Sequence, residues 1–264
     1  MEFDEFLREA APLLGLQWRP FHRRGIKRKV ERRVAEIGLS GFQEYLLKVK
    51  KDSEERVLLS KILTATISRF FRDKEVFDTL RRSVFPDLLK RDGGELKIWC
   101  IGCASGEEPY SLALLWKENF EQTWPHVRLS ILATDIDEDL LERARKGAYK
   151  NSSLKEVPAG TVRKFFKKES EFYVLDQTLG ESIAFKEHDI LHGGPFLEMD
   201  IVLCRNLAFT YFSRERQIEV LRKMVTSLKE RRYLVIGKDE KLPLTYPTLF
   251  ISVFPDEKIY QKFS

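Results

Sequence analysis

The chain has 264 residues, of which 43% are hydrophobic and 33% charged. That is enough for one domain of ordinary size and a smaller companion, with a real core. No window approaches the ~20 apolar residues of a membrane span, and the opening MEFDEFLREA is acidic where an export signal is basic and then apolar. Membrane and secreted readings are therefore set aside. Three cysteines, Cys100, Cys103 and Cys204, cannot build a disulfide framework, and four scattered histidines offer no zinc set. The expected setting is a reducing cytoplasm.

The formal net charge is +5, but it is unevenly spread. Eight basic residues lie between Arg19 and Arg33, among them Arg28, Lys29, Arg32 and Arg33, against the single acid Glu31. So dense a block attracts an anionic partner. Residues 1 to about 72 read as helical. Ile26, Val30, Val34 and Ile37 recur at helical spacing, which leaves the basic residues elsewhere on the wheel, and Gly38 ends that helix. Phe42 to Val49 and Glu54 to Ile67 repeat the pattern.

After a turn at Asp92-Gly93-Gly94 the texture changes to apolar runs alternating with amphipathic helices. Strands are expected at Leu96 to Ile101, Leu129 to Thr134, Ile183 to Glu187, Ile201 to Cys204, Tyr233 to Gly237 and Leu249 to Phe254. Helices are expected near Pro109 to Phe120, Glu138 to Lys146 and Arg214 to Lys229. The alternation predicts a mainly parallel sheet covered on both faces. The last two strands, with no helix between them, are expected to pair antiparallel at one edge.

The first strand runs into Gly102-Cys103-Ala104-Ser105-Gly106-Glu107-Glu108 and then a helix. Glycines at a strand's carboxyl end let a ligand approach the backbone. The spacing is not that of a dinucleotide loop, and Glu107 and Glu108 stand where a pyrophosphate would sit, so phosphate is disfavoured. The α-ammonium of S-adenosylmethionine suits those carboxylates. Asp135 ends the second strand, where it can accept from both ribose hydroxyls, while Asp137 is better placed to cap the following helix. Cys100 and Cys103 read as small packing residues.

The run Gly106-Glu107-Glu108-Pro109-Tyr110-Ser111, the upstream Ser68-Arg69-Phe70-Phe71-Arg72-Asp73, and Cys204-Arg205-Asn206 with Tyr211-Phe212 together resemble the CheR family, which methylates chemoreceptor glutamates. The resemblance spans nearly the whole chain. It implies a class I S-adenosylmethionine-dependent methyltransferase of Rossmann-like α/β fold, with an antiparallel edge, over residues 73–264. A small all-helical basic domain over residues 1–72 would precede it.

The resemblance also implies a residue set. Thr66, Ser68 and Arg72 match the polar motif that reaches the cofactor, with Gly102, Ser105, Gly106, Glu107, Glu108 and Asp135 around it. Asp189 and Ile190 match the pair framing adenine, and Arg205 and Asn206 match the Arg-Asn pair. Arg72, Arg205 and Tyr211 stand as catalytic candidates, and Arg28, Lys29, Arg32 and Arg33 as the docking set for an acidic receptor helix.

Several positions depart from the family pattern. Thr66, Ser68 and Asp189 replace Asn, Thr and Asn. Leu207-Ala208-Phe209-Thr210 is one residue longer than usual before Tyr211, which puts that tyrosine's direction in question. Gly237-Lys238-Asp239-Glu240 replaces a Gly-His-x-Glu, and Glu230-Arg231-Arg232 a Pro-Gly-Gly. The inserted β-subdomain is short, expected around residues 172–185, and no receptor-peptide tether is expected there.

A glutamate acceptor is ionised at neutral pH, with an ordinary pKa near ~4.3, so its methylation needs alignment and no general base. A nucleic-acid methyltransferase fits less well, because the fourth-strand segment Cys204-Arg205-Asn206-Leu207 is not an Asn/Asp-Pro-Pro-aromatic motif. The other readings are a methyltransferase acting on another protein or a small carboxylate, and a cofactor-binding sensor without catalysis. The expected partner is a chemoreceptor cytoplasmic domain, with no nucleic acid, no membrane insertion and a monomeric chain.

Overall fold

The computed structural model describes residues 1–17, 24–64, 68–91, 94–243 and 249–263. Four helices come first: α1 (Phe3–Leu13), α2 (Arg24–Glu36), α3 (Phe42–Lys51) and α4 (Ser53–Thr64). Ile26, Val30 and Val34 are buried, as their spacing predicts, and Gly38 takes the left-handed conformation just beyond α2. Next, α5 (Lys74–Thr79) and α6 (Phe85–Arg91) are joined by a π-helical turn at Leu80–Val84.

The main sheet has seven strands: β1 (Glu95–Ile101), β2 (Arg128–Asp135), β6 (Ile183–Glu187), β7 (Met199–Cys204), β8 (Leu228–Ile236), β9 (Phe250–Phe254) and β10 (Ile259–Lys262). Their order is β6-β2-β1-β7-β8-β10-β9, parallel from β6 through β8. The expected antiparallel pair is corrected in detail. β9 does not meet β8; β10 lies between them, antiparallel to both. Ile259-Tyr260-Gln261-Lys262 is too short and polar to announce itself as a strand.

Helix α7 (Glu107–Asn119) follows β1 and α8 (Glu138–Lys146) follows β2. α8 is bounded as its residues dictate: Asp137 accepts from the Asp139 N–H at its start, and Gly147, at φ +60°, closes its end. A second, three-stranded sheet is formed by β3 (Ala148–Lys150), β5 (Phe172–Leu175) and β4 (Phe166–Glu169), with α9 (Ala159–Phe165) leading into β4. The insert thus draws its strands from residues 148–175, while Ile183 to Phe185 belongs to the main sheet. After β7 come α10 (Ala208–Tyr211) and α11 (Arg214–Ser227), and α11 passes directly into β8 at Leu228.

Alternation along β1 divides the core. Ile98 and Cys100 face the cluster holding α5, α6 and α7, whereas Trp99 and Ile101 share a cluster with α11 and with α1 to α4. The N-terminal helices therefore pack on one side of the sheet, near its carboxyl edge. The end of α1 is stitched there: Gln17 donates to the Tyr211 carbonyl, Ser213 donates to the Gly15 carbonyl, and Leu16 bridges Phe212. The strand order reverses between β1 and β7, which places the open crevice of the α/β sheet beside the β1 loop. No described helix is long and apolar enough to cross a membrane.

Candidate active site

The loop after β1 is held in a shape its glycines permit. Gly102 and Gly106 have φ of +71° and +87°, and Ala104 joins them at +49°. A Cβ on Gly102 would lie 2.5 Å from Leu207 Cδ2, and one on Gly106 2.8 Å from Ala144 Cβ. The N–H groups of Gly102 and Cys103 both reach the Thr134 carbonyl, at 2.8 and 2.9 Å. Tyr149 donates to the Ser105 carbonyl at 2.8 Å and steadies the loop's far side.

Asp135 is the junction of this loop with β2. Its Oδ2 accepts from Ala104 N–H at 2.8 Å and its Oδ1 from Asp137 N–H at 3.0 Å. Burial raises its pKa, while these backbone donors oppose the rise. A carboxylate has about four acceptor positions, so two remain for a diol.

The two glutamates divide. Glu107 is 3% exposed. Its Oε2 is buried without a partner, and its Oε1 meets Ser153 Oγ only at 3.5 Å. Burial raises the Glu107 pKa, opposed by its own backbone N–H and by Ser105 and Ser68. Glu108 instead accepts from Arg205 Nη1 at 2.9 Å, and burial raises its pKa against the pull of Arg205 and Arg72.

Arg205 is a buried hub. Its Nη2 donates to Asp73 Oδ2 at 2.8 Å and to the Arg72 carbonyl at 2.7 Å, and its guanidinium lies 5.6 Å from the Phe77 ring. Its terminal nitrogens fix the 68–73 segment against α7, while Nε is buried without a hydrogen-bond partner. The neighbouring Asn206 is left-handed at φ +58°. Its N–H donates to Glu240 Oε2 at 3.0 Å, Gly237 N–H donates to the same oxygen at 2.6 Å, and Thr210 Oγ1 donates to Oε1 at 2.5 Å. Burial raises the Glu240 pKa against these donors.

Tyr211 is not among the residues that line the cavity. The longer segment folds into α10, and the Tyr211 side chain joins the buried cluster with Leu14, Leu16 and Phe209. Phe212, its successor, lines the cavity.

One cavity of about 760 Å³ is lined by Gly102, Asp135, Asp189, Ile190 and Asn206 of the expected cofactor set, but not by Ser68, Arg72, Ser105, Gly106, Glu107, Glu108 or Arg205. Lys29 and Arg32 of α2 line the same space, with Arg56 and Lys61 of α4, Arg143 of α8 and Arg216 of α11. Asp189 is engaged at both oxygens: Oδ1 accepts from Leu191 N–H at 2.8 Å, and Oδ2 lies 2.6 Å from His192 Nδ1.

Among the docking candidates, Arg28, Lys29 and Arg32 are exposed. Arg33 is not part of a free set: it donates to Glu55 from Nε at 2.9 Å and from Nη2 at 2.7 Å, and Tyr45 completes the cluster at 2.8 Å. Thr66, and with it Arg19, Arg23 and the Asp92-Gly93 turn, lie outside the described residues.

Sequence reasoning missed Asp73 as the partner of Arg205, and it missed Lys61, Arg143 and His188 in the cavity. Glu240 carried a signal, as the acid of the Gly237-to-Glu240 run. For the others, only the tertiary arrangement reveals them.

The family model described as "CheR methyltransferase, SAM binding domain" matches residues 66–259. The chain belongs to the CheR methyltransferase family. It is 30% identical to a chemotaxis protein methyltransferase of Listeria innocua over 229 residues, covering 87% of this chain and 86% of that one. It is 30% identical to the chemotaxis protein methyltransferase of Escherichia coli K12, covering 80% and 74%. A 104.1 kDa protein of Rhodobacter capsulatus is 32% identical over 221 residues, where the match spans 82% of this chain but 23% of the larger one. Among solved structures, the N-methyltransferase NodS of Bradyrhizobium japonicum WM9 aligns with a TM-score of 0.40 at 14% identity, over 73% of this chain and 97% of that one.

S-adenosylmethionine is the family's cofactor, and the residues present fit it. The orphaned Glu107 oxygen and the Asp135 carboxylate with acceptor positions to spare are what an ammonium and a diol require.

Proposed function

We propose that this CheR-type methyltransferase transfers methyl groups to glutamate side chains on the cytoplasmic domain of a chemoreceptor. The observation that carries the reading is the shared cavity: Lys29 and Arg32 of the basic helix line the same space as Gly102, Asp135 and Asn206. The helical region of residues 1–72 then serves as the docking face, with Arg28, Lys29 and Arg32 meeting an acidic helix of the receptor.

S-adenosylmethionine, when bound, supplies an electrophilic methyl group. Glu107 holds its ammonium, Asp135 its ribose, and Asp189 and Ile190 its adenine, while Gly102, Ser105 and Gly106 give the backbone cradle and Ser68 supports Glu107. Arg205 and Glu108 act as positioning residues, because their charges neutralise each other and tie Asp73 to α7. Asn206, fixed by Glu240, presents the end of β7 to the cavity.

The acceptor carboxylate arrives ionised, so the cationic wall has one task, to orient its oxygen. Arg72 follows Phe71, which is itself left-handed, and its positive charge favours the ionised form of Glu108. Its role is to hold the second acceptor oxygen. The reading is tested by incubating a purified receptor cytoplasmic domain with S-adenosylmethionine and this chain, then mapping peptides by mass spectrometry. Methyl esters on glutamates support it. Modification confined to lysine or to nucleic acid overturns it.

A further inference from the structure

The segment after β6 that carries Asp189 and Ile190 has no helix or strand to fix it. One side chain gathers it. Lys223, on the middle of α11, donates from Nζ to the carbonyls of Ile190 at 2.8 Å, Leu191 at 2.7 Å and Gly193 at 2.9 Å. An ammonium has three N–H donors, and all three are used on one turn. The side chain is 18% exposed and its Glu219 neighbour stands off at 3.8 Å, so the carbonyls are its principal partners. α11 is itself anchored, since Val220, Leu221 and Met224 on either side of Lys223 are buried in the core.

Three carbonyl dipoles converging on one point repel unless a cation sits there. The turn is also crowded: Gly193 N–H donates to the Asp189 carbonyl at 2.6 Å, and a Cβ on Gly193 would fall 2.2 Å from His188 Cε1. His188, whose N–H donates to the Asp135 carbonyl, couples the turn to the ribose-binding carboxylate.

We infer that Lys223 is a positioning residue that sets the adenine end of the cofactor site by clamping the 190–193 turn onto α11. The inference rests on the proposed placement of adenine against Asp189 and Ile190. It makes Lys223 a determinant of base selectivity without contact to the base.

Calorimetric titration compares S-adenosylhomocysteine with its inosine analogue, in which an oxygen replaces the exocyclic amine. The parent prefers the adenine form. In Lys223→Met the adenine ligand weakens by at least about tenfold, the inosine ligand weakens less, and the preference shrinks. Lys223→Gln, which keeps two N–H donors but no charge, falls between and guards against loss of fold. Equal weakening of both ligands, or an unchanged preference, overturns the inference, because a merely structural lysine lowers both alike. Asp189→Ala separates the two levels. If it leaves the preference intact, the adenine placement fails and takes Lys223 with it; if it abolishes the preference while Lys223→Met does not, only the Lys223 inference fails.

Discussion

Replacing Gly102 by alanine should separate two costs that the structure makes visible. The residue sits at φ +71°, and an added Cβ would lie 2.5 Å from Leu207 Cδ2. The left-handed backbone costs a non-glycine residue roughly 1 to 2 kcal/mol. Forcing a methyl into Leu207 adds about 1 to 3 kcal/mol of overpacking. Gly102→Ala should therefore lose roughly 2 to 5 kcal/mol, a fall of about 2 to 4 °C in melting temperature for each kcal/mol. Leu207→Ala removes the clashing branch but leaves the backbone cost. In the double variant the overpacking cost is relieved, so the two changes should couple by about 1 to 3 kcal/mol relative to their sum. Thermal and urea melts of the four proteins of this cycle measure it. Strict additivity would refute the proposed contact, and a full recovery would refute the backbone strain.

Glu107 has its pKa raised by burial in the ligand-free chain. A group raised in this way holds a proton in the folded state that the unfolded chain releases, so its contribution to stability is lost as pH climbs above the ordinary 4.5 through the raised value. A bound ammonium reverses the shift, so cofactor binding should release protons in that window, and Glu107→Gln should reduce the release. Calorimetry in two buffers of different ionisation enthalpy reads this, and equal proton counts for parent and variant would remove Glu107 from the ammonium site. Charge reversal of Arg28, Lys29 and Arg32 together should lower kcat/KM on the receptor at least about tenfold at low salt, a larger loss than any accompanying change in cofactor affinity; undiminished activity would refute docking through α2. Arg33→Ala should behave differently, destabilising the fold by about 1 to 3 kcal/mol because Glu55 is left buried with one partner fewer, as a urea melt would show.

The sheet and its loop were legible because their signals are local. Gly102 and Gly106 are needed where the chain turns left-handed, Asp137 caps α8 at the predicted place, and Ile26, Val30 and Val34 bury one face of α2. The pairing of distant residues was not legible. Arg205 meets Asp73 across 132 positions and Glu108 across 97, and no periodicity links them. Arg33 falls on the polar side of α2 by its spacing, yet Glu55 of another helix draws it inward. β10 was hidden because its four residues owe their extended form to β8 and β9 on either side. The extra residue before Tyr211 signalled a departure, but only the formation of α10 shows that Tyr211 is buried in the core while Phe212 lines the cavity.

Whether a carboxylate accepts the methyl group is read from the lability of the product bond. After incubation of a receptor cytoplasmic domain with this chain and S-adenosylmethionine labelled in its methyl group, the washed protein is treated with mild alkali and the volatile methanol is counted. A methyl ester on glutamate releases its label as methanol. Label that stays on the protein through the same treatment would contradict the account.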